Sequence, residues 1–133
     1  MNDHEFQRLR QQLNGGDIFA VRQYLDAGGD PNQCSKYNEP ILIIAASAGR
    51  TPIVELLLEA GACVNSPNKF GHTALLYAAL NGHERTVKVL LERGADPSIK
   101  ASGSSIKGWL VHYGKARAGI VELLESWQAP QEG

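Results

Sequence analysis

Apolar residues along this chain fall into short helical stripes that recur at a fixed interval. In "ERTVKVLLERG", Val87, Leu90 and Leu91 stand at helical spacing, Val89 widens the stripe and Gly94 follows. That pattern predicts an amphipathic helix touching neighbours on both sides. Just before it, "TALLYAAL" predicts a first helix, with small Ala78 and Ala79 allowing a close approach to its neighbours. Gly82 ends that helix, because a left-handed residue costs least at glycine. The unit therefore reads as helix, turn, helix and long loop.

The same unit stands 33 residues earlier. "ILIIAASAGRTPIVELLLEAGACVN" overlies "ALLYAALNGHERTVKVLLERGADPS" without a gap, matching Ala45-Ala46 with Ala78-Ala79, Gly49 with Gly82, and Leu57-Leu58 with Leu90-Leu91. Gly61-Ala62 likewise matches Gly94-Ala95. Here Thr51 is the expected N-cap, Pro52 the expected first helical residue, and Ile53, Val54, Leu57 and Leu58 the apolar face. Weaker copies flank these two. Upstream, Asp17 is the expected cap of "DIFAVRQYLDAG", with Val21 and Leu25 buried and Gly28 at the stop, followed by "GDPN". Downstream, "AGIVELLES" lies under "RTVKVLLER". A fixed period of this length marks a stacked repeat architecture.

These residues resemble the ankyrin repeat, whose unit reads approximately D-x-x-G-x-T-P-L-H-x-A-A-x-x-G-H, then an apolar helix, then L-L-x-x-G-A-D-x-N. Gly71, Thr73, Leu75, Ala78, Ala79, Gly82, His83, Leu90, Leu91, Gly94, Ala95 and Asp96 follow that pattern in register. The resemblance implies an all-α solenoid of helix-turn-helix units joined by finger-like β-turn loops. One domain spans 1–133, with a cap repeat at 1–31, repeats at 32–64 and 65–97, a second cap repeat at 98–130 and a tail at 131–133. Terminal units face solvent on one side and are usually atypical. The T-P-L-H tetrapeptide is broken throughout: Thr73-Ala74-Leu75-Leu76 in one unit, Pro40-Ile41-Leu42-Ile43 in the other. The family's Thr and His hydrogen bonds are thus replaced by apolar groups, so packing is expected to carry more of the stack. The fourth unit also lacks the Asp-x-x-Gly finger and has Trp127 where a Gly would stand.

Composition narrows the function. With 13 Lys+Arg against 14 Asp+Glu, the net charge is −1, against a nucleic-acid partner, which would need a basic face. No apolar run approaches the roughly 20 residues of a membrane-spanning helix, and "MNDHEFQRLRQQL" has no apolar signal core. Cys34 and Cys63 fit no metal spacing and read as free thiols of a reducing compartment, so a cytoplasmic location is expected.

The candidate chemistry reads as scaffold. His83 occupies the Gly-His position that closes the first helix in the family, and His72 is expected on an exposed finger. His112 falls where the family places a packed Ala, and a Cys63, His72 and His83 metal set would lie on different faces. Cys34 or Ser105 could serve as a nucleophile only with a base and an orienter beside it. "GSSIKG", Gly103 to Gly108, lacks the order of a phosphate loop and reads as a flexible linker. Neither a catalytic residue nor a cofactor is expected.

The resemblance instead implies a protein partner, held by the fingers and the first helices along a concave groove. By register, the second finger offers Lys36, Tyr37 and Glu39, and its helix offers Ser47 and Ala48. The third offers Lys69, Phe70 and His72, with Leu80 and Asn81 from its helix, and Trp109 or Tyr113 would continue the strip. Tyr37 and Phe70, 33 residues apart, should project side by side, and Lys36 and Lys69 would favour an acidic rim on the partner. These positions are expected to be free of work in the stack. The free chain is expected to be a monomer acting as an adaptor, inhibitor or neutralising partner. Two alternatives remain open: a small enzyme or ligand or metal binder on a repeat scaffold, and self-association through a Trp109–Trp127 patch.

Overall fold

The computed structural model describes residues 1–112 and 118–127, so Tyr113 lies outside the described residues. Among the described residues eight helices follow in order: α1 (Asp3–Gly15), α2 (Ile18–Asp26), α3 (Ile41–Ser47), α4 (Thr51–Glu59), α5 (Ala74–Leu80), α6 (Glu84–Glu92), α7 (Ile106–His112) and α8 (Ala118–Ser126). They form antiparallel-style pairs stacked in two rows. The first helices α1, α3, α5 and α7 pack in succession, and the second helices α2, α4, α6 and α8 do the same behind them. This is an all-α repeat fold.

Residue size explains the two rows. The short first helices are buried almost all round: Ile41 to Ala46 in α3 and Ala74 to Leu76, Ala78 and Ala79 in α5. Each is sandwiched between two first helices and its own partner, so no polar face is needed. The second helices bury one stripe, Ile53, Val54 and Leu57 in α4 and Val87, Leu90 and Leu91 in α6, and turn charges outward. Leu25 and Leu58 are half-buried and pack at the margin of the core.

The turns between paired helices are built alike. Gly16 and Gly49 both have left-handed backbones, with φ of 74° and 71°. Beyond that, each lies under a side chain of the next unit. A Cβ on Gly49 would stand 2.6 Å from His83 Nδ1, and one on Gly16 would stand 3.2 Å from Arg50 Cδ. Arg50 Nε donates to Asn14 O at 2.9 Å, and His83 Nε2 meets Ser47 O at 3.0 Å. Since a carbonyl only accepts, that contact requires the proton on Nε2. Arg50 and His83 therefore do one job, capping the exposed carbonyls at the end of the preceding unit's first helix.

A second tie repeats behind the stack. Asn32 accepts from Cys63 N (2.7 Å) and donates to Gly61 O (3.2 Å), while Asn65 accepts from Asp96 N (2.9 Å) and donates to Gly94 O (3.3 Å). Each amide side chain thus joins the loop after one second helix to the end of the following second helix. Ser98 stands where a third such Asn would fall and instead bonds locally to Asp96.

Two expectations about α4 are overturned. Asp17 does cap α2, accepting from Ala20 N at 3.1 Å, but α4 begins on Thr51 itself, after Arg50, with no side-chain cap. Pro52 is accordingly the second helical residue. The Thr51 hydroxyl is turned inward, where it lies 2.8 Å from the buried hydroxyl of Thr86 on α6. A polar group placed inside the stack needs a partner there, and Thr86 supplies it across the repeat interface.

Candidate functional site: two aromatic fingertips

The second and third fingers are the same turn made from different residues. In one, Ser35 Oγ accepts from the backbone N–H groups of Tyr37 (3.1 Å) and Glu39 (3.2 Å). In the other, Asn68 Oδ1 accepts from those of Phe70 and His72, both at 3.0 Å. Main-chain bonds close each loop, Ser35 N to Glu39 O at 3.0 Å and Asn68 N to His72 O at 2.9 Å. Asn38 and Gly71 take the left-handed position, with φ of 61° and 76°. Asn is among the few side chains that tolerate it.

These turns hold Tyr37 and Phe70 at the tips, each 61% exposed. Lys69 Nζ lies 5.6 Å from the Tyr37 ring centre and 5.1 Å from that of Phe70, within cation–π range of both. The two rings are therefore neighbours across the gap between fingers. Lys36 Nζ is 5.2 Å from the Tyr37 ring and bonds Asp3 of α1 at 3.0 Å. That hydrogen bond, then the Asp3 charge and then Tyr37, push the Lys36 ammonium above its ordinary value of 10.5.

The remaining sequence-derived positions serve the stack more than a groove. Glu39 is half-buried and paired with Arg10 at 2.7 Å. Asn81 Nδ2 donates to Ser47 O and Ser47 Oγ, both at 3.0 Å. The expectation that Glu39, Ser47 and Asn81 are free of structural work is thus overturned. The ends of α1 and α3 leave backbone carbonyls, Asn14 O and Ser47 O, that the next unit's Arg50, Asn81 and His83 satisfy. Ala48 is half-buried, and Leu80 is half-buried against the core rather than standing exposed.

His72 is not an exposed finger residue either. Being at the finger's base, it points inward: Nδ1 lies 3.0 Å from Tyr77 Oη, which also accepts from Asn68 Nδ2 at 3.0 Å. Its ring centre is 5.9 Å from Phe70, 5.6 Å from Tyr77 and 5.5 Å from Trp109. Its Nε2 is buried with no hydrogen-bond partner among the described residues. Trp109 is half-buried and donates from Nε1 to Ala101 O at 2.9 Å. The sequence reading missed Tyr77 as a member of this aromatic box. Its place four residues after Thr73 on α5 was the available signal.

The fourth finger is short and carries no aromatic tip. Ala101 and Ser104 exchange backbone hydrogen bonds of 2.9 and 3.0 Å around Ser102 (φ 51°) and Gly103 (φ 80°). Those two left-handed residues form a tight two-residue hairpin turn, so this stretch is not a slack linker. Ser105 Oγ accepts from Gly108 N at 3.1 Å and is thereby engaged as a helix cap. Burial, then the nearby charge of Asp30, push the Cys34 thiol above its ordinary value of 9.0, which reduces its thiolate and hence its nucleophilicity.

Two cavities among the described residues lie away from the second and third fingers. One of about 340 Å³ is bounded by Leu91, Glu92, Gly94, Ala95, Asp96, Pro97 and Trp127, and another of about 200 Å³ by Pro97, Ser105, Ile106, Lys107 and Leu124. Neither is large for a small-molecule site. Asp96 is already bonded to Ser98. Trp127 lines the first, while Trp109 meets His72 of the third finger edge to face. The two tryptophans of the self-association alternative are therefore divided between two places. Among the described residues no three His, Cys, Asp or Glu side chains are grouped to hold a metal ion, and no helix is long and apolar enough to cross a membrane.

A search of curated proteins gives no match. A family model described as ankyrin repeats, in three copies, matches residues 11–101, the span that carries the glycine stops, the asparagine ties and both aromatic fingers. The chain belongs to the ankyrin-repeat family, whose members are generally protein–protein interaction modules.

Proposed function

We propose that this protein is a non-catalytic interaction module that binds a protein partner through its second and third fingers, as an adaptor, inhibitor or neutralising partner. The carrying observation is the pair of exposed rings, Tyr37 and Phe70, brought side by side with Lys69 over both. Large exposed aromatics on a rigid support are the usual anchors of an interface. Ser35 and Asn68 fix the backbone at the tips before any partner arrives, so little ordering entropy is lost on binding. Of the groove positions inferred from register, Tyr37, Phe70, Lys69 and Lys36 form the contact patch. Glu39 and His72 sit at the bases of the fingers, whereas Ser47, Leu80 and Asn81 serve the stack. The engaged Ser105 and the weakened thiolate of Cys34 speak against the enzymatic alternative. The free chain acts as a monomer, and a cytoplasmic site of action fits its two unpaired thiols.

The test is affinity capture from native lysate with wild type beside the Tyr37→Ala/Phe70→Ala double variant, each first checked for an unchanged thermal melt. A protein retained by wild type and lost by the variant is the expected result. Equal retention by both would remove the site from the fingertips.

A further inference from the structure

The chemistry at the tips specifies the kind of segment that fits them. This step rests on the fingertip reading above and adds the partner's charge and shape. Two ammonium groups, Lys36 and Lys69, lie over the Tyr37 ring, and a single carboxylate, Asp3, answers them. Asp3 is bonded to Lys36. The acid on these two fingers themselves, Glu39, is held by Arg10 at the base. Among the described residues Lys69 has no carboxylate within ion-pair distance. It is a cation supported only by the faces of two rings, one on each finger, and the patch carries one uncompensated positive charge.

We infer that the cleft between the two tips receives an extended acidic segment of a protein, with one Asp or Glu carboxylate on Lys69 and an apolar neighbour laid across the Tyr37 and Phe70 rings. The rings exclude water from one side of the ammonium, which strengthens its pairing with an incoming carboxylate relative to a fully solvated lysine. The apolar side chain uses the ring surface that Lys69 leaves uncovered. Lys36 contributes little attraction of its own, since its charge is already matched by Asp3. A single uncommitted cation suits one carboxylate rather than a run of phosphates, which distinguishes this surface from a nucleic-acid groove needing several basic contacts.

The experiment is selection of a random peptide library on the immobilised 133-residue chain, followed by affinity measurement of the enriched peptides. Enriched peptides should carry Asp or Glu beside an aliphatic or aromatic residue. Lys69→Gln should weaken them about fivefold or more, and Lys36→Gln less than about twofold. Their Asp→Asn or Glu→Gln counterparts should show the same loss against wild type and no further loss against Lys69→Gln. Tyr37→Ala/Phe70→Ala serves as the separate control on the site. If it leaves peptide binding intact, the fingertip reading itself fails. If it abolishes binding but the enriched peptides are neutral or basic, or Lys36→Gln matters as much as Lys69→Gln, only the acidic-segment inference fails. A ten-nucleotide oligothymidine that binds as tightly as the peptides and depends on Lys69 would overturn it in favour of nucleic acid. Absence of any enriched peptide would overturn it outright.

Discussion

Replacing Thr86 by Val should destabilise the protein markedly, and replacing Thr51 as well should restore most of the loss. Both hydroxyls lie inside the stack, Thr86 wholly inaccessible and Thr51 nearly so, 2.8 Å apart between α4 and α6. Valine has almost the shape of threonine, so the single change leaves packing intact and strands one buried hydroxyl without its partner. An orphaned buried polar group costs about 1 to 3 kcal/mol. The low end applies where the surviving Thr51 hydroxyl turns to a backbone carbonyl of its own region. In the double variant two methyl groups meet where two hydroxyls met, a replacement that is about neutral or stabilising. The assay is urea unfolding of wild type, both single variants and the double variant, followed by tryptophan fluorescence and circular dichroism together. Both tryptophans sit at or after α7, so coincident curves also test whether the stack unfolds as one unit. With slopes of about 1 to 3 kcal/mol per M, a single variant should shift the midpoint by on the order of 1 M. The cycle should give a coupling energy of about 1 kcal/mol or more. Strictly additive losses, with the double variant as weak as the two singles combined, would refute the claim that this pair bonds across the interface.

Other outcomes follow from the same geometry. Gly49→Ala should cost more than Gly61→Ala in the same unfolding assay. Both backbones are left-handed, a strain of about 1 to 2 kcal/mol for alanine, but only the Gly49 methyl meets the His83 ring, whereas Gly61 faces open space. Equal losses would show that His83 yields freely. The Asp96 carboxyl is held below its ordinary value of 3.8, first by the Ser98 hydroxyl and then by the Ser98 N–H. A depressed acid stabilises the fold above its unfolded-state value and loses that contribution as pH falls through the folded one. The difference in melting temperature between wild type and Asp96→Ala should accordingly be present near neutral pH and shrink in acid below about pH 3.8. A gap that widens in acid would invert the assignment.

Periodicity made the helices readable because it is local. The stripes of α4 and α6, the small alanines of α3 and α5 and the glycine stops all depend on residues near one another in sequence. What escaped was carried by positions that do equal work with unlike residues. Arg50 and His83 reach back to the preceding helix in the same register, yet one is a guanidinium and the other an imidazole. Ser35 and Asn68 build the same turn from a hydroxyl and an amide. An overlay by identity passes over both pairs. The Thr51–Thr86 bond falls off the 33-residue register altogether, so no comparison of units could have found it. At the base of the fingers the opposite happened: Glu39 and His72 are equivalent in register, but one meets Arg10 and the other an aromatic box, so a shared position implied nothing about a shared role.

The distribution of these ties decides where recognition can sit. The asparagine ties, the Arg50 and His83 caps and the threonine pair join successive helices of the stack, and each involves side chains at helix ends, in the loops behind the second helices or in the interior. None reaches beyond the base of a finger. Apart from the exposed Lys36–Asp3 ion pair, the tips are therefore the part of the repeat that can vary without loosening the stack, and they are also the part that carries Tyr37 and Phe70. The arrangement stops at the third unit. There the asparagine gives way to Ser98, the fourth finger contracts to a two-residue turn, and Trp109 folds back onto His72 instead of projecting. Trp109 thus closes the aromatic strip from one side, leaving the gap between the second and third fingers as the place where an exposed ring pair, a supported cation and a prearranged backbone coincide.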